Sequence, residues 1–303
     1  MQPHTASETD RRDGTVTLSD GFVLHYRDCG SGPALLFLHG WAMDGTLARL
    51  DGAPPLQGFR LIAPDLRGHG RSRVTDPKLS VDQLADDVAE LISALNLNRV
   101  ILWGWSMGAM LGWLLIRRHG TARLAGMIVE DMSPRATDTP DWPHGLRDGH
   151  SPEKAQGLAR YMADHWANFC PHFVARVPAT GRTGPEGTIM AACQRAALNA
   201  DPVSMAALWR SLVVADARDV ADGLDLPHLL LPGTLSQLYT DAAARWLHAR
   251  LKNSVLTPME GAGHAPHLEV PAAFEAALQG FARSLCDTSR TTTPGAGPSP
   301  DPA

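Results

Sequence analysis

Polar and apolar positions along the chain follow two rhythms. Compact, largely apolar runs at 34–38, 60–63, 99–103, 124–131, 226–231 and 254–259 are bounded by Gly, Pro or Asp, which predicts buried strands. Other stretches carry the helical period. Positions 81, 84, 85, 88, 91, 92 and 95 are apolar behind Ser80, a suitable N-cap. Helical patterns also cover 109–119, 241–251 and 271–285. Near the start, 15–18 and 22–28 read as strands joined by an Asp20-Gly21 turn, a hairpin signal.

Strands alternating with helices predict an α/β fold. Its sheet is mostly parallel and covered on both faces, with the hairpin as an antiparallel edge. Within 135–222 the strand rhythm stops. Ser151-Pro152-Glu153 and Asp201-Pro202 are helix starts with proline in the first turn, the former running to about residue 169. A third helix is expected over 186–199. These features predict an α-helical cap at 134–222, inserted between core segments 14–133 and 223–286. Residues 1–13 and 287–303 are expected to be disordered tails. The aromatics Trp142, Trp166, Phe169, Phe173 and Trp209 are read mainly as packing within the cap.

Composition narrows the function classes. The chain has 303 residues and a net charge of −5, with 44% hydrophobic and 19% charged residues. It shows no run of Lys and Arg, so a nucleic-acid partner is not expected. Cys29, Cys170, Cys193 and Cys286 lack metal-site or disulfide spacing. The N-terminal residues form no signal peptide, and no apolar run reaches membrane-spanning length, so a soluble cytoplasmic protein is expected. His144, His150, His165 and His172 lack helical pairing, so no metal is expected.

The candidate chemistry centres on Gly104-Trp105-Ser106-Met107-Gly108, which lies between a predicted strand and a predicted helix. In that context a serine sits on a sharp turn with its hydroxyl above the sheet. A side chain at either glycine would collide with the neighbouring strand or helix. The following helix offers free N–H groups to a developing oxyanion. A serine hydroxyl needs a base, and the base an orienting acid. His264, in the Gly261-Ala262-Gly263-His264 loop after the last strand, is the candidate base. His39, His69 and His119 have weaker claims, and His267 is read as a packing or surface residue.

These motifs, with His39-Gly40-Trp41 and Asp65-Leu66-Arg67-Gly68-His69-Gly70-Arg71-Ser72, resemble the α/β-hydrolase superfamily over about 15–285. The resemblance implies an eight-stranded sheet. It also implies oxyanion donors at the backbone N–H groups of Trp41 and Met107, with Trp41, Trp105 and Met43 against the substrate. Short stretches are similar to carboxylesterases acting on pimeloyl-carrier methyl esters and to cofactor-free haloperoxidases.

One position departs from the family. Its acid usually follows the seventh strand as G-x-x-D, whereas this chain has Gly233-Thr234-Leu235-Ser236. Ser236 is expected to contribute little. Asp241, further on, lies in a helical pattern and should face solvent. At the end of the sixth strand stand Glu130 and Asp131, which alternation points in opposite directions. Asp131 is nearer the sheet edge and aligns with the sixth-strand acid of haloalkane dehalogenases, so it is the expected orienter. Glu130 and Asp241 are the alternatives.

The resemblance and these residues lead to an expected serine hydrolase of a small-molecule ester or thioester, possibly carrier-bound, that needs no cofactor. A C–C hydrolase, a lactonase, a cofactor-free perhydrolase and a non-catalytic ligand-binding member are the alternatives.

Overall fold

The computed structural model describes residues 11–50, 56–149, 151–179 and 186–288. Its sheet has eight strands in the order β1-β2-β4-β3-β5-β6-β7-β8. The strands are β1 (Arg11–Thr17), β2 (Val23–Gly30), β3 (Ala34–Leu38), β4 (Arg60–Pro64), β5 (Val100–Trp105), β6 (Leu124–Glu130), β7 (His228–Leu231) and β8 (Ser254–Leu256). β1 and β2 pair antiparallel, as do β2 and β4, and the remaining neighbours pair parallel.

Helices cover both faces. α1 (Val81–Ala94) starts at Ser80, whose hydroxyl accepts the Gln83 N–H. α2 (Met107–His119) follows β5. A side chain at Gly112 of α2 would strike Met127, and one at Gly126 would strike Phe281 and Leu285 of the last helix. Gly126 and Met127 are successive residues of β6 and point to opposite faces, so α2 and the last helix lie on opposite sides of the sheet.

Among the described residues, five helices stand between β6 and β7: α3 (Pro152–Asp164), α4 (Trp166–Val174), α5 (Glu186–Asn199), α6 (Pro202–Val214) and α7 (Arg218–Ala221). Ser151 and Asp201 cap α3 and α6 by accepting backbone N–H groups, with proline in each first turn. The run expected to continue to residue 169 divides at His165, where the backbone leaves helical geometry. The chain then finishes with α8 (Asp241–His248), the short α9 (Pro266–Glu269) and α10 (Pro271–Thr288). Among the described residues, no helix is long and apolar enough to cross a membrane.

Three boundaries moved for identifiable reasons. β1 reaches back to Arg11, so residues 11–13 are not tail. They pair with Arg27, Asp28 and Cys29, and Asp13 holds Arg71. An edge strand bonds through its backbone, which polar side chains do not prevent. β7 and β8 are shorter than expected because Pro227 and Pro258 cannot donate to a ladder. Residues 1–10 and 289–303, most of the expected tails, lie outside the described residues.

Candidate active site

The sharp turn after β5 has the anticipated strain. Ser106 has φ 53° and ψ −121°, a left-handed conformation that non-glycine residues rarely adopt. The flanking glycines explain how the chain fits. A Cβ at Gly104 would lie 2.4 Å from the Ala109 backbone, and one at Gly108 would lie 1.8 Å from the Leu38 carbonyl. The turn is pressed between β3 and its own helix, and Ser106 remains part-exposed. Gly40 borders it, since a Cβ there would come within 3.4 Å of Ser106 Cβ.

Asp131 and His264 meet at the neighbouring strand ends. Their Oδ2 to Nδ1 distance is 2.6 Å, and both residues are buried. Asp131 also has positive φ, at 43°, and the Gly233 N–H donates to its Oδ1. The bond to Asp131 places the imidazole proton on Nδ1 and leaves Nε2 as the basic nitrogen. Glu130 turns the other way, as alternation required. It accepts the Trp103 indole N–H at 2.8 Å, and both the backbone N–H and Nδ1 of His267. Asp241 lies outside this group, in an exposed pair with Arg245.

The histidine loop is held on several sides. Glu269 accepts the N–H groups of Gly263 and Ala265, which flank His264, and that of Ala179 in the insertion. The His264 N–H donates to the Val177 carbonyl. Glu269 lay beyond sequence reasoning: its only signal was its place five residues after His264, and one of its three partners, Ala179, is 90 residues away in the chain.

The loop after β3 is shaped by two buried histidines. The N–H of Leu66 donates to His39 Nε2, and the N–H of Ala42 to His69 Nε2, while the Nδ1 atoms face carbonyls of Gly40 and Arg67. Burial pushes His39 down to about 4. Burial, then the nearby His39, pushes His69 down to about 3. Both act as neutral scaffolding. Asp65 ties the same region through the Gly45 N–H, Arg27 and Arg71. Burial raises its pKa, but the two guanidinium groups outweigh that and hold it at about 2.

Three expected substrate contacts need correction. Trp105 is 1% exposed; its indole N–H donates to the His264 carbonyl at 2.7 Å and its ring packs against His264 and His267. Met43, also 1% exposed, belongs to the core. Trp41 is 3% exposed and seats the insertion: its N–H donates to the Met205 carbonyl, and Trp166, Phe169, Phe173 and Trp209 surround its ring. Indoles this enclosed have no free face for an acyl group. Phe169, Phe173 and Trp209 are only partly buried and remain candidates for that contact. Ser236, expected to contribute little, has its hydroxyl 2.6 Å from Asp131 Oδ2. A cleft of about 730 Å³ opens at the far end of the sheet, beside Gly32, Phe59 and Arg99, and contains none of these groups.

Comparison with known proteins agrees with this architecture. The chain is 28% identical over 260 residues to a pimeloyl-[acyl-carrier protein] methyl ester esterase of Nitrosomonas europaea, covering 83% of this chain and 96% of that protein. It is 35% identical over 137 residues to a non-heme haloperoxidase of Rhodococcus erythropolis, covering 43% of this chain and 48% of that protein. The solved structure of a thermophilic esterase from Thermogutta terrifontis superposes with a TM-score of 0.77 at 26% identity, covering 90% of this chain and 99% of that one. Residues 35–277 match the profile of the alpha/beta hydrolase family, to which this chain belongs.

Proposed function

We propose that the protein is a carboxylic ester or thioester hydrolase working through an acyl-enzyme on Ser106. The observation that carries this reading is the buried 2.6 Å contact between His264 Nδ1 and Asp131 Oδ2, beside the strained Ser106 turn. Nε2 of His264 takes the Ser106 proton as the hydroxyl oxygen attacks the substrate carbonyl. Asp131 holds the imidazole in one tautomer and stabilises the imidazolium. The tetrahedral oxyanion accepts hydrogen bonds from the Trp41 and Met107 N–H groups, the second at the start of α2. His264 then protonates the leaving alcohol or thiol. In the second half it removes a proton from water, which attacks the acyl carbonyl and releases the acid.

The helical insertion acts as a cap over Ser106, with Phe169, Phe173 and Trp209 as its apolar wall. An apolar acyl group suits such a wall. The named esterase relatives support an ester substrate, and the first of them makes a carrier-bound acyl group a natural candidate.

The test is covalent labelling. A fluorophosphonate should give a single adduct, which peptide mass spectrometry places on Ser106, and Ser106→Ala should abolish it. The same substitution should lower turnover of p-nitrophenyl esters by about 10³-fold or more. An unlabelled wild-type protein would favour ligand binding over catalysis. Lactones assayed beside the esters would define the bond cleaved.

A further inference from the structure

The position where most of the family keeps its acid is occupied here by Ser236, and its surroundings give it a definite job. A serine hydroxyl has one proton and two lone pairs. The backbone N–H groups of Leu238 and Tyr239 both donate to Ser236 Oγ, each at 3.2 Å. Those two donors occupy the lone pairs. The hydroxyl proton is then directed to Asp131 Oδ2, at 2.6 Å, the distance expected for a hydroxyl on an ionised carboxylate. Ser236 is 3% exposed, so water does not compete for this proton.

Asp131 Oδ2 therefore receives two short bonds, one from Ser236 and one from His264, while Oδ1 takes the Gly233 N–H at 3.0 Å. Three donors around one carboxylate fix its rotation. The loop that supplies two of them is fastened to the histidine loop, since the Leu235 N–H donates to the Ala262 carbonyl. A side chain at Gly233 would lie 1.8 Å from the Gly263 carbonyl. Ser236, Asp131 and His264 thus form one rigid assembly drawn from three strand ends.

We propose that Ser236 is a positioning residue for the reaction. Its hydroxyl holds the Asp131 carboxylate against His264, so the Ser106–His264–Asp131 relay has a fourth member at the vacated acid position. This rests on the catalytic reading of Ser106 given above. The serine does not touch substrate; it acts through Asp131.

A double-mutant cycle separates this role from simple support of the loop. The four proteins are wild type, Ser236→Ala, Asp131→Asn and the double variant. They are compared by p-nitrophenyl acetate turnover and by the rate of fluorophosphonate labelling of Ser106. Ser236→Ala should lower kcat and the labelling rate by about 10-fold, the scale of a lost hydrogen bond to a charged group, with KM within about 2-fold. In the Asp131→Asn background the same change should cost less than about 2-fold, because the charge it serves has gone. Ser236→Thr, which keeps the hydroxyl, should recover most of the rate. Should Ser236→Ala fold poorly, Ser236→Cys preserves size with a weak donor and should show the same loss at an unchanged Tm. An equal cost in both backgrounds, a Ser236→Thr variant as slow as Ser236→Ala, or no loss at all would overturn the proposal. Ser106→Ala, run in parallel, distinguishes the failures. If it stays active, the catalytic reading itself falls; if it is inert while Ser236→Ala is silent, only the positioning role falls.

Discussion

Two histidine–carboxylate pairs lie side by side in this protein, built from adjacent acids and from histidines three residues apart. Asp131 holds His264 at 2.6 Å, and Glu130 holds His267 at 2.7 Å. All four residues are buried. The difference is what the second ring nitrogen meets. Nε2 of His267 lies 2.9 Å from the Leu47 carbonyl, so it must carry a proton, and Nδ1 faces Glu130. Both ring nitrogens of His267 are thus engaged by protein oxygens. This pair instead clamps the end of β6, α9 and the 3-10 turn at Gly45–Ala48 together. His264 uses only Nδ1 for support among the described residues. In the proposed reaction the same two residue types serve as a base in one place and a clamp in the other, and the backbone carbonyl at 47 separates them.

The largest effect that could break this contrast is a swap of histidines for glutamine. His264→Gln should reduce ester turnover by about 10³-fold or more, as expected for loss of the base. His267→Gln should keep turnover within about 10-fold and appear mainly as a lower Tm, because a clamp is lost rather than a proton acceptor. Comparable kinetic losses in both would mean that the two pairs are not functionally distinct.

The acids offer the next test. Asp131→Asn should lower kcat by about 100-fold or more, since a neutral amide neither fixes the tautomer nor stabilises the imidazolium. Glu130→Gln should act on stability, on the order of 1–3 kcal/mol for disturbed buried hydrogen bonds, measured by urea unfolding. Ser236→Asp should partly restore the Asp131→Asn enzyme, because its carboxylate would start one strand away and point at the same ring nitrogen. In the wild-type background it should be harmful, since two adjacent carboxylates cannot both ionise cheaply. A severe kinetic loss in Glu130→Gln with a mild one in Asp131→Asn would reverse the assignment.

His39 and His69 add a third use of the ring: neutral, with Nε2 accepting a backbone N–H. Burial holds them at about 4 and about 3, and holds the buried His228 at about 4. An unfolded histidine takes its proton near 6.5. The unfolded chain therefore binds protons, as pH falls below about 6.5, that the native chain refuses until about 4 or below. Stability should be full above this window and fall through it. The urea midpoint at pH 5 should be clearly lower than at pH 7, by an amount on the order of a few kcal/mol in free energy. Asp65 belongs to a lower window: its depressed value stabilises the fold above about 3.8, and that contribution is lost towards about 2. A flat midpoint from pH 7 to 5 would deny the neutral scaffolding role.

Trp105 touches both pairs and gives the smallest expected change. Trp105→Phe removes the N–H that holds the His264 carbonyl but keeps an aromatic ring beside His267. A few-fold loss in kcat with KM unchanged is expected; a changed chain-length preference across an ester series would instead return Trp105 to the substrate pocket.

Much of this site was legible along the chain. Ser106 stood out because two glycines, an apolar strand and a helix framed it, and close packing at Gly104 and Gly108 is the physical cause of that signature. His264 stood out by its glycine-rich loop after a late strand. Alternation, which sends neighbouring side chains to opposite sides, parted Asp131 from Glu130, and Asp131 was preferred for its place nearer the sheet edge and its resemblance to the sixth-strand acid of haloalkane dehalogenases. The roles of Ser236, Glu269, His267 and Trp105 were not legible. Each depends on a partner more than 20 residues away or on which atom of a loop happens to face it, and no local period encodes that.

The sequence by itself determined the strand and helix alternation, the helical insertion, the strained serine turn and the opposite facing of Glu130 and Asp131 at the sixth strand. These are consequences of side-chain size, period and backbone freedom, all of which act over a few residues. Tertiary structure decided which histidine has both ring nitrogens engaged, that the Ser236 hydroxyl meets the Asp131 carboxylate, and that Trp41 is enclosed by the insertion. Those outcomes depend on distances between loops at separate strand ends, where a shift of one ångström makes or removes a hydrogen bond.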